Sequence, residues 1–446
     1  MIGAAARVAA ALVLVAGAAC TRAEPVGSPP ASGPRVHAGG SLDFGVVGSP
    51  ATLDPYSPLA SDLTRALARP LYPSLFRLRP DGSPEPDLAR RSERVGGELR
   101  VRIRRALWSD GRPVTARDVV ASARRARPPS GFTAFDSVRA DGRRTVVFEP
   151  AAAGGPTALA SAAFVLPRGR WLPAVSGGPF RMRSHTRGLE VVYERNPRWD
   201  GAPAHLDGFR AVFVEDVRIL LELLSRGRLA AAAVPATVNL DEASIAGTTV
   251  RGALGWERVF VRFGPGVDAG ERAAIAAALD REAMEEAFVR DDGRVSDTVT
   301  PGPGPRGAAG DGPPATAPAS SPTDELLVSA PEGDELLALV QRAVYTQLTR
   351  ADLDAETVSV DAETFYGLWA HDNPADLAIV RAAGAPSLRP GAVPGGRAAL
   401  PLFHLESYVA WRRGVHGITP NPTLEGPLWN AEDWSIDRGA GGGPGL

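Results

Sequence analysis

The chain contains no lysine. Its 49 basic residues are all arginine, set against 51 Asp and Glu, and the formal net charge is -2 over 446 residues. A balance so close to zero gives no electrostatic case for a nucleic-acid partner. Cysteine is almost absent as well. Cys20 stands alone, which excludes an intramolecular disulfide and any site built from several thiolates. His37, His185, His205, His371, His404 and His416 are scattered, with no pair at the helical spacing that would hold a metal. There is no Gly-x-Ser-x-Gly elbow and no Gly-rich phosphate loop. No run reaches the roughly 18 apolar residues that a membrane-spanning helix needs. Together these absences argue against an enzyme and predict neither a metal nor any other cofactor.

What is present is a globular composition: 44% hydrophobic and 22% charged residues, over a length that accommodates more than one domain. The N-terminus reads as a targeting segment. Arg7 is the sole early charge, and Val8 to Ala19 is an apolar run of signal-peptide length. Gly17, Ala18 and Ala19 then lead to Cys20. This arrangement resembles a bacterial lipobox, whose cysteine receives a diacylglyceryl group, although Gly17 stands where that motif usually has Leu. An ordinary secretory signal with Cys20 removed or idle is the alternative, and lipidation of Cys20 is the stronger reading. Residues 1–20 are thus expected to be a lipoprotein signal peptide. Residues 21–40, rich in Pro, Ser, Gly and Ala, are expected to be a flexible tether.

The most informative stretch runs from Glu98 to Arg127. Leu99, Val101 and Ile103 alternate with arginines at the period of a half-buried strand. Trp108 and the turn Ser109-Asp110-Gly111 follow, and Thr115 with Asp118 marks a helix start. Physics alone reads this as a strand-turn-helix corner with a buried tryptophan. The run Trp108 to Val119, however, resembles the signature of the family 5 extracellular solute-binding proteins, the peptide- and nickel-type receptors of ABC importers. Thr52-Leu53-Asp54-Pro55 after a first strand at Ser41–Val47, the turn Ser176 to Phe180, and Arg195-Asn196-Pro197 before Trp199 resemble further motifs of that family. Beyond Val234 the likeness weakens, and the second half is divergent and shorter.

The resemblance implies an α/β, two-lobed periplasmic-binding-protein-like fold of type II, similar to cluster C, with a small subdomain added to the first lobe. The expected partition is lobe I over 41–66, 171–255 and 400–440, the subdomain over 67–170, and lobe II over 256–399, with 301–322 a loop. The chain is expected to cross between lobes near Ala253–Glu257 and Arg397–Leu400. The pattern predicts a hairpin over Ser137–Glu149 and helices over Val217–Arg226, Arg272–Phe288 and Glu335–Thr349.

By the same resemblance the protein is a substrate-binding lipoprotein, not an enzyme. It would be held on the outer face of the cytoplasmic membrane by Cys20. It would capture a small solute, an oligopeptide among the candidates, as a monomer and deliver it to ABC importer permease subunits. The competing reading is a degenerate relative that acts as a surface sensor or interaction protein without transport. Candidate ligand-wall residues are Thr52, Tyr56, Trp369, Arg381, Phe403 and Tyr408, each with packing as its ordinary alternative. Peptide receptors of the family often carry an acid, which pairs with the peptide ammonium, after the strand that corresponds to Asp376–Val380. Here the chain continues Arg381-Ala382-Ala383, so a free-amine peptide would lack that partner.

Overall fold

The structure is a computed structural model that describes residues 39–127, 130–150, 155–169, 175–235, 247–288, 325–332, 334–361, 364–365, 375–383 and 399–437. The signal segment with Cys20, all but the last two residues of the tether, the stretch 301–322 and Trp369 lie outside the described residues.

In chain order, β1 (Ser41–Val47) leads through a loop to α1 (Asp62–Ala68), then to the hairpin of β2 (Phe76–Leu78) and β3 (Pro84–Pro86). The subdomain follows: β4 (Ala89–Val95), β5 (Glu98–Ile103), α2 (Ala116–Arg125), β6 (Ser137–Asp141), β7 (Thr145–Glu149) and α3 (Pro156–Ala160). Its sheet has the order β4-β5-β7-β6. The chain returns through β8 (Phe180–Thr186), β9 (Glu190–Arg195), β10 (Gly208–Val214), α4 (Val217–Ser225) and β11 (Ala231–Val234). The long β12 (Thr248–Phe263) carries it into the second lobe. That lobe comprises α5 (Ala269–Ala278), α6 (Arg281–Phe288), β13 (Leu326–Pro331), α7 (Glu335–Arg350), β14 (Ala355–Val360) and β15 (Leu377–Ala383). The equally long β16 (Ala399–Arg412) leads back, and β17 (Val415–His416) and β18 (Ser435–Ile436) pair near the C-terminus.

Ten strands join in the order β14-β13-β15-β12-β16-β11-β1-β10-β9-β8. β1 is parallel to both β10 and β11, and β13 is parallel to both β14 and β15. Among the described strands, only β12 and β16 run through both lobes. Their antiparallel pairing loses register between Leu254 and Arg258, opposite Glu406 and His404, and again between Val259 and Phe260. Extra residues in one strand locally bend and twist a ladder, and here the first break falls between the part of β12 that pairs beside β11 and the part that pairs with β15. Each half has its own core. Leu42, Phe44, Trp108, Tyr193, Phe209 and Trp434 lie in the first. Val261, Leu337, Val344, Leu377, Ile379 and Phe403 lie in the second.

The sequence motifs of the first lobe converge on Trp108, which is 1% exposed. The Ser109 N–H donates to the Ser176 carbonyl at 2.7 Å, and the N–H groups of Gly177 and Gly178 both donate to Leu71 O. A Cβ on Gly177 would sit 2.8 Å from the Trp108 ring, and one on Gly178 would sit 2.5 Å from Pro70 O, so neither position has room for a side chain. Asn196, 3% exposed, donates through Nδ2 to Gly178 O at 2.8 Å and locks this turn to the end of β9. Downstream, the Asp118 carboxylate accepts from Thr115 N at 2.8 Å and from Arg168 N at 3.1 Å, so it fixes the start of α2 and a distant loop together.

The helix expected over Arg272–Phe288 is two helices. Asp280 interrupts it, its carboxylate accepting from Ala283 N at 3.0 Å as the cap of α6 while its own N–H donates to Gln347 on α7 at 2.6 Å. Local capping by Asp outcompetes continuation of one helix.

Candidate functional site

The strand directions define where a ligand can lie. β11 pairs antiparallel with β16 through Ala231↔Trp411 and Val234↔Tyr408. The carboxyl end of β11 therefore points toward the register break, and β1, level with it through Gly45↔Ala232, ends on the same side. In the second lobe Glu257↔Ala383 brings the carboxyl end of β15 to the break, and β13, in register through Ser329↔Ala378, ends at the same edge. The parallel strands of both lobes thus present their carboxyl ends to one seam, spanned by β12 and β16. In open α/β sheets that edge is the binding edge, because helices begin there and loops are free to diverge.

Helix α4 starts at the seam with Asp216 as its cap, accepting from Arg218 N at 2.6 Å. The Arg218 side chain also pairs with it, and these bonds hold the Asp216 carboxyl below the usual range. Helix α7 starts there with Asp334, whose carboxylate accepts from Leu337 N at 3.2 Å and pairs with Arg381 Nε at 2.8 Å. Each helix N-terminus already carries its own compensating anion.

The loop after β1 is fastened to the subdomain. Thr52 Oγ1 accepts from Asp54 N at 3.1 Å, and Asp54 Oδ1 accepts from Tyr56 N at 3.0 Å. Asp54 also pairs with Arg125 at the end of α2. The Tyr56 hydroxyl donates to Phe164 O at 2.6 Å, and burial pushes that phenol far above its ordinary value. Thr64 Oγ1, in the first turn of α1, donates to Thr52 O at 2.9 Å.

The expected wall residues are therefore placed as follows. Thr52 and Tyr56 share one turn, Thr52 half-buried and Tyr56 with its hydroxyl turned inward. Arg381 lies at the second lobe's edge, about a third exposed and engaged with Asp334. Phe403 is fully buried and stacks on Phe288 at 5.9 Å. Tyr408 is buried beneath α4 with Leu220, Leu224 and Val250. Trp369 lies outside the described residues. The caps Asp216 and Asp334 are seam residues that no motif announced. The signal for each was an acidic residue directly before an apolar helical run. This edge offers donors, acceptors and paired charges suited to holding a solute. Among the described residues no group of three or more His, Cys, Asp or Glu is placed to hold a metal ion.

The family described as "Bacterial extracellular solute-binding proteins, family 5 Middle" matches residues 83–356. The peptidoglycan-binding protein YepA of Agrobacterium fabrum (strain C58 / ATCC 33970) is 30% identical over 202 residues, which is 38% of this chain and 32% of YepA. That match spans about a third of the relative's length. Among solved structures, AgaA from A. tumefaciens R10 in complex with agropinic acid superposes with a TM-score of 0.72 at 18% identity, covering 89% of this chain and 99% of that one. The oligopeptide-binding protein AppA of Bacillus subtilis, in complex with a nonapeptide, gives 0.70 at 17% identity, covering 90% of this chain and 100% of that one. At such identities the likeness establishes the fold.

Proposed function

Since the chain belongs to the bacterial extracellular solute-binding proteins of family 5, we propose that it is the lipid-anchored receptor of an ABC importer and holds a small solute between its lobes. The observation that supports this reading is the seam: two sets of parallel strands end face to face, joined, among the described strands, by β12 and β16. Two crossings make a hinge. A ligand that touches both sides favours the closed form by its differential affinity.

In this reading lobe I comprises 41–66, 171–255 and the last part of the chain, the subdomain 67–170, and lobe II begins at 256. Its return boundary falls at the register break by His404–Glu406 rather than at Ala399. Thr52 and Arg381 face the ligand from opposite lobes. Tyr56, Phe403 and Tyr408 support it from the cores in which they are packed. Cys20 carries the lipid and the permease subunits receive the solute. The ligand is a polar solute of peptide size or smaller. The bound nonapeptide and agropinic acid of the structural relatives bracket that range, and a peptidoglycan-derived peptide is consistent with the sequence relative. At the end of β15 an incoming ammonium meets Arg381 with Asp334 already engaged, so free-amine peptides should bind no better than N-acetylated ones.

The test is a thermal-shift screen with pools of free peptides, N-acetylated peptides and uncharged solutes. Binding to the native state alone stabilises by roughly 2.7 kcal/mol at a hundredfold excess over Kd. A shift from acetylated or uncharged pools at least equal to that from free peptides is expected. Stabilisation by free peptides that acetylation abolishes would overturn the ligand class, and no shift from any pool would overturn the receptor reading.

A further inference from the structure

Charge is unevenly spread over this nearly neutral chain. Residues 67–170 contain twenty arginines against ten Asp and Glu, while the whole chain carries -2. The remainder is therefore acidic and the subdomain strongly basic.

The fold concentrates the excess at one end of the subdomain sheet. Arg91 pairs across to Arg102, and Arg90 sits in the bulge between Ala89 and Arg91. The Ile103 N–H donates to Arg144 O at 2.8 Å and the Ala116 N–H to Arg143 O at 2.9 Å. These bonds bring the β6–β7 turn against the end of β5, where Arg105 follows, and against the first turn of α2, where Arg117 lies. Arg90, Arg102, Arg105, Arg117 and Arg143 are exposed. None of these five, nor Arg144, forms an ion pair among the described residues. Carboxylates on the same elements and turns are already engaged: Glu93 by Arg91, Asp141 by Arg100, Asp110 by Arg112 and Asp118 by Arg168.

We infer that this end of the subdomain is an anion-binding face that docks on anionic phospholipid headgroups. An acidic protein is the other polyanion it could meet, and the patch lacks what a protein interface needs. Such interfaces are centred on desolvated apolar and aromatic anchors. Of the large apolar side chains exposed among the described residues, only Leu107 lies at this end. Exposed guanidinium groups with no ion pair among the described residues, and without an apolar centre, suit a diffuse layer of phosphate charge. The face is distinct from the seam and does not depend on the solute reading.

The test uses the full chain in sedimentation with vesicles of phosphatidylcholine alone and vesicles in which phosphatidylglycerol replaces about a third of it. Any binding that does not depend on headgroup charge is common to both kinds, so the readout is the ratio between them. Each basic residue near an anionic surface contributes about fivefold in partitioning. The variant Arg102→Gln/Arg105→Gln/Arg143→Gln should lose on the order of a hundredfold of the phosphatidylglycerol preference. Salt should erode the preference as the screening length shortens. Arg183→Gln/Arg187→Gln/Arg228→Gln removes the same charge from exposed sites elsewhere and should keep the preference, with both variants melting like the wild type. Equal binding to the two vesicle types, or equal loss in both variants, would overturn the assignment, the first pointing to a protein partner and the second to net charge.

Discussion

The packing of Gly177 against Trp108 makes a prediction that a single substitution cannot. Trp108 is 1% exposed, and a methyl group on Gly177 would lie 2.8 Å from Cζ3 and 2.9 Å from Cε3 of its ring and 3.3 Å from Pro73 Cδ. The backbone at Gly177 is not left-handed, so the cost of that methyl is steric alone. Trp108→Ala should destabilise the first lobe by about 3–5 kcal/mol through lost burial and a residual cavity. Gly177→Ala, which forces the ring or the Pro73 side to move, should cost about 1–3 kcal/mol. With the ring gone the added methyl has space. The double variant should therefore be no less stable than Trp108→Ala alone, a coupling of about 1–3 kcal/mol between the sites. Urea unfolding of the four proteins, followed by far-UV circular dichroism, measures the cycle. Additive losses would show that the turn and the ring are not in contact and would refute the convergence of the motifs on Trp108.

Two further outcomes are expected. Tyr56→Phe should cost about 1–3 kcal/mol at neutral pH, because Phe164 O loses its buried donor. It should also reduce the loss of stability seen above pH ~10. Burial raises the folded phenol's pKa, so the unfolded state releases its proton first and stability falls as pH rises through that value; a pH series of unfolding midpoints in which the variant keeps the full alkaline slope would refute this. Cys20→Ala should abolish labelling by a fatty-acid analogue and release the protein from membranes, and a wild type that takes up no label would refute the anchor.

The parts of the fold legible in the sequence are those with a local signal. β1 runs over Ser41–Val47 as its apolar pattern says, and the Ser137–Glu149 hairpin turns where Asp141-Gly142 directs it. Trp108 is buried and Thr115 opens α2. Other elements owe their form to distant partners. β4, Ala-Arg-Arg-Ser-Glu-Arg-Val, has a single buried residue and becomes a strand because β5 offers it a ladder. β12 contains Gly252, Gly255 and three arginines, and its sixteen residues are extended because β15 and β16 flank it. The seam was less legible still. Phe403 and Tyr408 lie on a strand with neighbours on both sides, where alternation cannot tell a wall from a core. Asp216 and Asp334 face the seam because helices start there, a fact of topology rather than composition.

Residues 421–434 finish the first core. Trp434 is fully buried and stacks on Phe44 of β1 at 5.1 Å. Glu425 pairs with Arg69 at 2.5 Å and accepts from Leu78 N at 3.1 Å, and Asn421 donates to Leu78 O at 2.9 Å. Arg77 meets Glu432 at 2.6 Å. Among the described residues β1 pairs only with strands that follow it by more than 160 residues. For a chain delivered N-terminus first across a membrane, this core is completed only once residues 421–434 have emerged. Among the described residues, β13, β14 and β15 of the second lobe pair within the span from β12 to β16. Long-range pairing of this kind is slow.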